Sequence, residues 1–365
     1  MTTVRRVALV GTGLVGGSVG LALGRQGVDV HGYDVDHGRA ARAKELGAVS
    51  VVAGSIAEAV RGADAVVVAV PVGHVAEVVV AALDAGAPIV TDVGSVKAPI
   101  VDAVERARPD VAARFVGGHP MAGSEQDGLD GADGDLFVRA TWVLTPTERT
   151  DPDVFSALRS LIVSLGAEVV AVDPEHHDAL VAVVSHVPQL AASTLMDVAA
   201  DRGEQHATLL RLAAGGFRDM TRIAAGQPDI WPDICVANRD AILGALDEYV
   251  DALESVRALV ESSDRRGLLD VLERARRARR NLPVGMAPDE ELVELRVPVP
   301  DRPGVLAEVT TLAGRLGVNI ADLEIAHSME GHAGVLVLLV VASGAGELES
   351  GLAELGYRVS RSALS

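Results

Sequence analysis

Residues 7–16 read Val-Ala-Leu-Val-Gly-Thr-Gly-Leu-Val-Gly, an apolar strand that runs into a glycine-rich turn and then into a helix. In this G-x-G-x-x-G pattern, Gly11 permits the tight turn and Gly13 lets the backbone approach a pyrophosphate. The third glycine, Gly16, lets helix and strand pack closely. The pattern therefore predicts a dinucleotide site, with a glycine-rich turn that binds nothing as the alternative.

The residues on either side of this turn predict which dinucleotide is bound. Leu14 and Val15 open the helix, so they would offer free N–H groups and the positive end of the helix dipole to the phosphates. Asp34 ends the second predicted strand, where a carboxylate accepts hydrogen bonds from the ribose hydroxyls of NAD and repels the 2′-phosphate of NADP. We therefore expect NAD as cofactor, although Arg39 and Arg42 follow nearby and could weaken that preference.

The first half of the chain alternates short Val-rich runs with amphipathic stretches. Most runs are apolar throughout, as in strands that are covered on both faces. This repeated βαβ pattern predicts a mainly parallel sheet and an α/β Rossmann domain over residues 1–172. The predicted strands are Val4–Val10, Asp29–Asp34, Ala65–Val70, Pro88–Val93, Arg114–Gly118, Thr141–Thr145 and Glu168–Val172.

The pattern changes at Asp173 and Pro174, which suit the N-cap and the first turn of a helix. Helical periodicity continues to about Asn281 and predicts an all-α domain over residues 173–283. After a linker, residues 290–365 show a β-α-β-β-α-β order, which is typical of a ferredoxin-like α+β domain. Its predicted elements are Leu292–Val299, Val305–Leu316, Asn319–Ser328, Ala333–Ala342, Gly346–Leu355 and Arg358–Leu364.

Composition excludes several classes of function. The 365 residues carry a formal net charge of −19, which disfavours binding to nucleic acid or to anionic lipid. The single cysteine, Cys235, cannot form an internal disulfide. The longest apolar runs, such as Val335–Ala342, are shorter than the roughly 18 residues that a membrane span needs. We expect a soluble, cytoplasmic protein without a signal peptide.

Two loops at predicted strand ends carry candidate catalytic residues. They read DVGSVK over residues 92–97 and GGHPMAGSE over residues 117–125. His119 stands between glycine and proline on a stiff backbone, and an unperturbed imidazole, with a pKa of about 6.5, accepts a proton at neutral pH. A hydroxyl at Ser95 could orient this imidazole or share the substrate oxygen. The alternative is that His119 is a structural turn residue.

The helical half carries candidate binding residues. Ser185 and Gln189 are four residues apart and would share a helix face, while Pro188 should kink that helix. Arg218 and Arg222 are also four apart, and arginine binds carboxylates in a bidentate manner. A surface ion pair with a neighbouring aspartate is the equally weighted alternative for these arginines.

Other polar residues favour structural interpretations, and we expect no metal site. His176 and His177 point about 100° apart on a helix, so they do not converge easily on one ion. We interpret them, with their acidic neighbours, as a solvated first helical turn. Cys235 is interpreted as a small buried hydrophobe and His186 as a structural residue.

Taken together, these segments resemble the prephenate dehydrogenase family. The resemblance runs from residue 4 to about residue 283 and follows the order of the family's motifs. The segments that carry it are GTGLVGGS, GSVK, GHPMAGSE, VSHVPQ, GGFRDMTRIA and WPDICVANRDAIL. GHPMAGSE and GGFRDMTRIA are the most specific, because other Rossmann dehydrogenases lack them.

The resemblance implies a role for each candidate residue. His119 would take the proton from the C4 hydroxyl of the substrate ring, Ser95 would bind that hydroxyl or the histidine, and Arg222 would hold a substrate carboxylate. Hydride would pass from C4 to NAD while the ring carboxylate leaves as CO2. The helical domain would form a homodimer. The remaining pocket residues would be Ser124, Glu125, Ser185 and Trp231.

One position departs from the family pattern. Many members carry a second histidine where this chain has Gln189, near the substrate side chain. That side chain is a keto acid in prephenate and an amino acid in arogenate. Glutamine can donate or accept a hydrogen bond, so the choice between the two substrates stays open.

The C-terminal segment looks like an ACT domain, a module that binds amino acids. The resemblance rests on DRPGVL over residues 301–306 and GVNI over residues 317–320. Gly304 would let the backbone approach a ligand whose carboxylate meets the helix start. Tyrosine is the expected effector, and a purely structural dimerisation domain is the alternative. The predicted ligand residues are Asp301, Gly304, Val305 and Asn319.

Two rival functions follow from the same sequence. A 6-phosphogluconate-like or hydroxyacid dehydrogenase would place a catalytic lysine on the first long helix of the second domain, but residues 174–200 contain no lysine. A non-catalytic metabolite-sensing regulator would not need His119, Ser95 and Arg222, and the chain has no basic DNA-binding helix pair.

Overall fold

The computed structural model describes residues 4–122, 128–205, 212–280, 292–300, 302–327 and 333–363. The predicted site residues Ser124, Glu125 and Asp301 lie outside these ranges. The chain divides into two compact units, residues 1–255 and residues 256–365, and each is described by itself.

An eight-stranded sheet, in the order β3-β2-β1-β4-β5-β6-β7-β8, forms the centre of the first unit. All neighbouring strands are parallel except β6 and β7, which confirms a mainly parallel sheet with one reversal. The order reverses between β1 and β4, and ligands of such sheets bind at the carboxyl ends of the strands near that point. The strands are β1 Arg6–Val10, β2 Asp29–Tyr33, β3 Val51–Val52, β4 Ala65–Val68, β5 Val90–Asp92, β6 Phe115–Pro120, β7 Thr141–Thr145 and β8 Glu168–Ala171.

Helices cover both faces of this sheet. Alternate residues of β1 enter two buried clusters, with Val7 and Leu9 on one face and Ala8 and Val10 on the other. This explains why the strand is apolar at every position. The helices are α1 Leu14–Arg25, α2 His37–Glu45, α3 Ile56–Val60, α4 Val72–Asp84, α5 Ala98–Ala107 and α6 Pro152–Ser164.

Two strands differ from the predicted pattern. The two-residue strand β3 was not predicted, because two residues show no periodicity. Strand β6 continues two residues beyond the predicted end, since the antiparallel strand β7 pairs with its last residues, His119 with Val143 and Pro120 with Trp142. His119 therefore lies in the end of a strand rather than in the loop that follows it.

Helices follow from residue 174. Asp173 caps the first of them, since its side chain accepts a hydrogen bond from the N–H of His176. A π-helical turn, Ala182–His186, precedes Val187 and Pro188, where the sequence predicted a kink. Pro188 has no N–H for the carbonyl four residues earlier, and π turns accommodate such a loss. The helices are α7 Pro174–Val181, α8 Val187–Gln205, α9 Gly215–Thr221, α10 Trp231–Ala237, α11 Arg239–Glu261 and α12 Arg265–Arg280.

The stretch Pro174–Gly203 is long and apolar enough to cross a bilayer by length and composition, with a mean hydropathy of 1.5 over its most apolar part. Charged and polar residues interrupt this stretch, so it forms no continuous apolar run. The stretch carries His177 and Asp178, which are buried and hydrogen-bonded to His119 of β6 and to the N-terminus of α5. Such contacts are expected of a helix in a folded core, so this stretch is weak evidence for a membrane span.

The second unit contains a four-stranded antiparallel sheet in the order β10-β11-β9-β12. Alternate residues of β9, among them Leu295 and Val297, are buried against two helices. Helix α14 begins at Ala342, four residues before the predicted start. The elements are β9 Leu292–Pro300, α13 Val305–Arg315, β10 Ile320–His327, β11 Ala333–Val341, α14 Ala342–Glu354 and β12 Ser360–Ala363.

Candidate active site

The glycine-rich turn has the geometry that a dinucleotide requires. Gly11 has a φ of 95°, and a Cβ there would lie 2.2 Å from the carbonyl oxygen of Ala69. A Cβ on Gly16 would lie 2.1 Å from the carbonyl oxygen of Gly11. A Cβ on Gly13 would meet nothing within 4 Å, so this glycine faces open space at the start of α1. The fold thus requires the first and third glycines, and the second leaves room for a pyrophosphate.

Asp34 follows β2 directly and is buried beside this turn. Its Oδ2 accepts hydrogen bonds from the N–H of Thr12 at 2.8 Å and from the Thr12 hydroxyl at 2.9 Å. Arg39 approaches Oδ1 at 3.5 Å, whereas Arg42 bonds Glu45 and Asp130. The carboxylate stands where a ribose would be recognised, and Arg39 is the one of the two neighbouring arginines that pairs with it.

His119 is 8% exposed at the end of β6. Its Nδ1 lies 2.9 Å from Nε2 of His177. Burial lowers the pKa of the His119 imidazole well below its ordinary value of 6.5. Three nearby basic side chains act in the same direction: His177, Lys97 and His186. The imidazole is therefore neutral at neutral pH, the state in which it can accept a proton.

The predicted solvation of the first turn of α7 is wrong for two of its residues. His176 is exposed, but His177 and Asp178 are 2% and 4% exposed. His177 Nδ1 lies 2.8 Å from Asp178 Oδ1. Because adjacent helical residues diverge by about 100°, one histidine faces solvent while the next faces the core. In the sequence, this divergence argued against a metal site. It did not show that His177 is the buried partner of His119.

Sequence reasoning also missed the buried ion pair of Lys97 and Asp92, both fully buried. Lys97 Nζ donates to the carbonyl oxygen of Gly118 at 2.9 Å, and Asp92 accepts from the N–H groups of Gly94 and Gly118 at 2.8 and 3.1 Å. Burial lowers the pKa of Lys97, while Asp92 opposes that shift. The pair holds the ends of β5 and β6 together directly before His119. The sequence does carry one sign of this ion pair: Lys97 is the only charged residue of the stretch 93–101, which follows β5.

Ser95 is half-buried in the loop after β5. The hydrogen bonds of the described residues do not join it to His119, whose Nδ1 faces His177.

The other predicted residues lie on the helices. Ser185 is half-buried in the π turn, and Gln189 is 9% exposed with its Nε2 3.4 Å from Ser193 Oγ. Arg222 is exposed and begins a 3₁₀ turn after α9, so it does not share one continuous helix with Arg218 as predicted.

Trp231 opens α10 and packs edge-on against the buried His186, with 6.1 Å between ring centroids. Burial lowers the pKa of His186 to about 4. Asn238 Nδ2 lies 3.2 Å from His186 Nδ1 and 2.8 Å from the carbonyl oxygen of Asp178, to which it donates. Within the described ranges, no group of three or more His, Cys, Asp or Glu side chains could hold a metal ion.

Comparisons with known proteins agree with this geometry. The nucleotide-binding domain of prephenate dehydrogenase matches residues 19–171, and the dimerization domain of prephenate dehydrogenase matches residues 173–274. The prephenate dehydrogenase of Bacillus subtilis (strain 168) is 34% identical over 338 residues, which cover 90% of this chain and 90% of the relative.

Two solved structures are similar along most of their length. The prephenate dehydrogenase from A. aeolicus in complex with hydroxyphenyl propionate and NAD+ has a TM-score of 0.71 at 30% identity, covering 77% of this chain and 99% of that chain. The arogenate dehydrogenase of Synechocystis has a TM-score of 0.65 at 30% identity, covering 75% and 98%. The chain belongs to the prephenate dehydrogenase family, whose members are NAD-dependent oxidoreductases.

Proposed function

We propose that this chain catalyses the oxidative decarboxylation of prephenate to 4-hydroxyphenylpyruvate, with NAD+ as oxidant. The observation that carries the proposal is the buried, neutral His119 at the carboxyl edge of a dinucleotide-binding sheet. A base in this place can take a hydroxyl proton from a substrate that lies next to a cofactor on the glycine-rich turn.

Each residue of the site has a defined task in this reaction. His119 takes the proton of the C4 hydroxyl, Ser95 donates a hydrogen bond to that oxygen, and Arg222 holds a substrate carboxylate. When bound, NAD+ accepts the hydride from C4. Loss of the ring carboxylate as CO2 makes the ring aromatic and drives the reaction, so the protein supplies chiefly orientation and one base. The pocket is completed by Ser124, Glu125, Ser185 and Trp231.

Formation of reduced cofactor tests the proposal, with prephenate and arogenate each offered together with NAD+ and with NADP+. We expect turnover of prephenate and a higher kcat/KM with NAD+, because the Asp34 carboxylate repels a 2′-phosphate. Asp34→Asn, which keeps an oxygen for Thr12, should narrow that difference. An equal or higher kcat/KM with NADP+ in the unmodified chain would contradict the role of Asp34, and turnover of neither substrate would remove the proposed function.

Arogenate is the alternative substrate. Gln189 is buried, and its hydrogen bond to Ser193 Oγ is long, at 3.4 Å. Its amide can therefore turn to donate to a keto acid or to accept from an ammonium group. The ratio of kcat/KM for prephenate and arogenate in the same assay decides between these substrates.

The helical part, matched by the dimerization-domain model, supports a homodimer. Its helices leave an open groove of about 480 Å³ with a largely apolar lining. Apolar surface of this kind is normally covered by a partner. The groove is lined by residues that include Val183, Val187, Met220, Ile223 and Tyr249. The proposed domains are the Rossmann domain over residues 1–172, the helical domain over residues 173–283 and the ferredoxin-like domain over residues 290–365. We propose that the protein acts in the cytoplasm.

The C-terminal module is proposed to be a ferredoxin-like ACT domain that binds an amino acid. Support comes from its β-α-β-β-α-β order and from its sheet order. Gly304 has a φ of 90° at the N-cap of α13, followed by the buried Val305, while Asn319 is exposed directly before β10. Asp301 would belong to the same ligand site.

L-tyrosine should inhibit the full-length protein, and truncation after residue 287 should relieve most of this inhibition without abolishing catalysis. Substrate must then weaken tyrosine binding by the same factor as tyrosine weakens substrate binding. Titration calorimetry measures tyrosine binding to the full-length protein, to the truncated protein and to full-length Asn319→Ala. Equal affinity in all three would place tyrosine in the active site and remove the sensing role of the module.

A further inference from the structure

We propose that His177, oriented by Asp178, is a positioning residue that fixes the ring tautomer of His119, so that Nε2 of His119 is the atom that accepts the substrate proton. The inference rests on the proposed function in that it concerns the same base. It assigns a task to two residues that sequence reasoning placed in a solvated helical turn.

Asp178 is held as a hydrogen-bond acceptor. Its Oδ1 accepts from the N–H of Lys97 and its Oδ2 from the N–H of Ala98, both at 2.8 Å. These two groups form the N-terminus of α5, where the helix dipole favours a negative charge. Both carboxylate oxygens therefore face N–H donors, and a carboxylate accepts hydrogen bonds without donating any.

The tautomers of both histidines follow from this acceptor. Because Asp178 Oδ1 can only accept, Nδ1 of His177 carries the hydrogen across the 2.8 Å contact. A neutral His177 then presents an unprotonated Nε2, which lies 2.9 Å from Nδ1 of His119. Nδ1 of His119 must therefore be the donor, which leaves the lone pair of its neutral ring on Nε2.

The same chain stabilises the charge that forms during the reaction. The substrate O–H bond breaks, an N–H bond forms on Nε2 of His119, and no proton has to pass to His177. The imidazolium that results is disfavoured by burial and by Lys97 nearby. The Asp178 carboxylate, which is hydrogen-bonded to His177, opposes these effects. His177 and His186 are the other basic side chains that lower the pKa of His119, and Asn238 donates a hydrogen bond to the backbone carbonyl of Asp178.

Kinetics of three variants test the positioning role. His177→Leu removes the acceptor for His119 Nδ1–H and should lower kcat by about 10²-fold, the low end of the effect of losing a general base, with little change in KM. His177→Gln places an amide oxygen near the former Nε2 and should recover most of that loss. His176→Leu, on the exposed neighbour, is the matched control and should behave as the unmodified protein. An unchanged kcat in His177→Leu, or an equal loss in His177→Gln, overturns the proposal.

A measurement that does not depend on turnover uses histidine-selective ¹⁵N labelling of the unmodified full-length protein. The resonances of His119 are assigned by their disappearance in His119→Asn. We expect the Nδ1–H tautomer for His119, and the Nε2–H tautomer overturns the proposal. If neither prephenate nor arogenate is turned over, the proposed function fails, but the tautomer of His119 still decides this inference.

Discussion

His119→Ala should lower kcat by about 10²–10⁴-fold, the range observed when a general base is lost. The substitution removes the proton acceptor but none of the residues around the glycine-rich turn, so the affinity for NAD+ should not change. Burial keeps the imidazole neutral, so the unmodified protein holds its base ready over the whole neutral range. Steady-state turnover and fluorescence titration with NADH measure the two quantities separately.

His176→Ala serves as control, because it removes an exposed imidazole from the same region. Near-normal turnover in His119→Ala would show that another group takes the proton. A parallel loss of NAD+ affinity would indicate that the end of β6 had rearranged, and the kinetic loss could then not be assigned to the base.

Lys97→Met should destabilise the first unit by about 3–5 kcal/mol, the usual result of removing one partner of a buried ion pair. The fully buried Asp92 carboxylate would keep its hydrogen bonds from Gly94 and Gly118 but lose its counter-charge. The carbonyl oxygen of Gly118 would also lose its donor. Urea denaturation, followed by the fluorescence of the tryptophans, measures the change in the free energy of unfolding.

Arg106→Met on α5 is the matched control, because this basic residue is exposed and donates to a backbone carbonyl of its own helix. Its effect should stay within about 0.5 kcal/mol, as for most surface substitutions. If Lys97→Met lowers the free energy of unfolding by less than about 1 kcal/mol, its effect approaches that of a surface substitution. The Asp92 carboxylate would then be stabilised without Lys97, for example by taking up a proton.

Local patterns predicted those parts of the fold that depend on residues close in sequence. The glycine-rich turn, the apolar strands and the six elements of the C-terminal module have short-range signals, and all of them occur in the structure. Strand β3 has only two residues and shows no such signal. The extension of β6 to Pro120 depends on its pairing with β7, a contact that no local pattern reveals.

In the candidate site, too, local sequence indicated some residues, whereas tertiary contacts brought in the others. His119 stood out because glycine and proline flank it, but its partner His177 lies 58 residues later on a helix. In sequence, the two adjacent histidines are equivalent, and only the packing of α7 distinguishes the buried one from the exposed one. The burial of Lys97 depends on Asp92 and Gly118 folding around it, and these contacts form only in the tertiary structure.

The capping of α5 by Asp178 has a consequence for protein engineering. The residue that anchors the hydrogen-bond chain of the base belongs to the helical part, whereas the base itself belongs to the nucleotide-binding sheet. A chimera that joins the nucleotide-binding half of one family member to the helical half of another would have to transplant residues 92–98 and 173–178 as a matched set. Shuffling the halves without this set should give proteins that still bind NAD+ but have lost the orientation of their base.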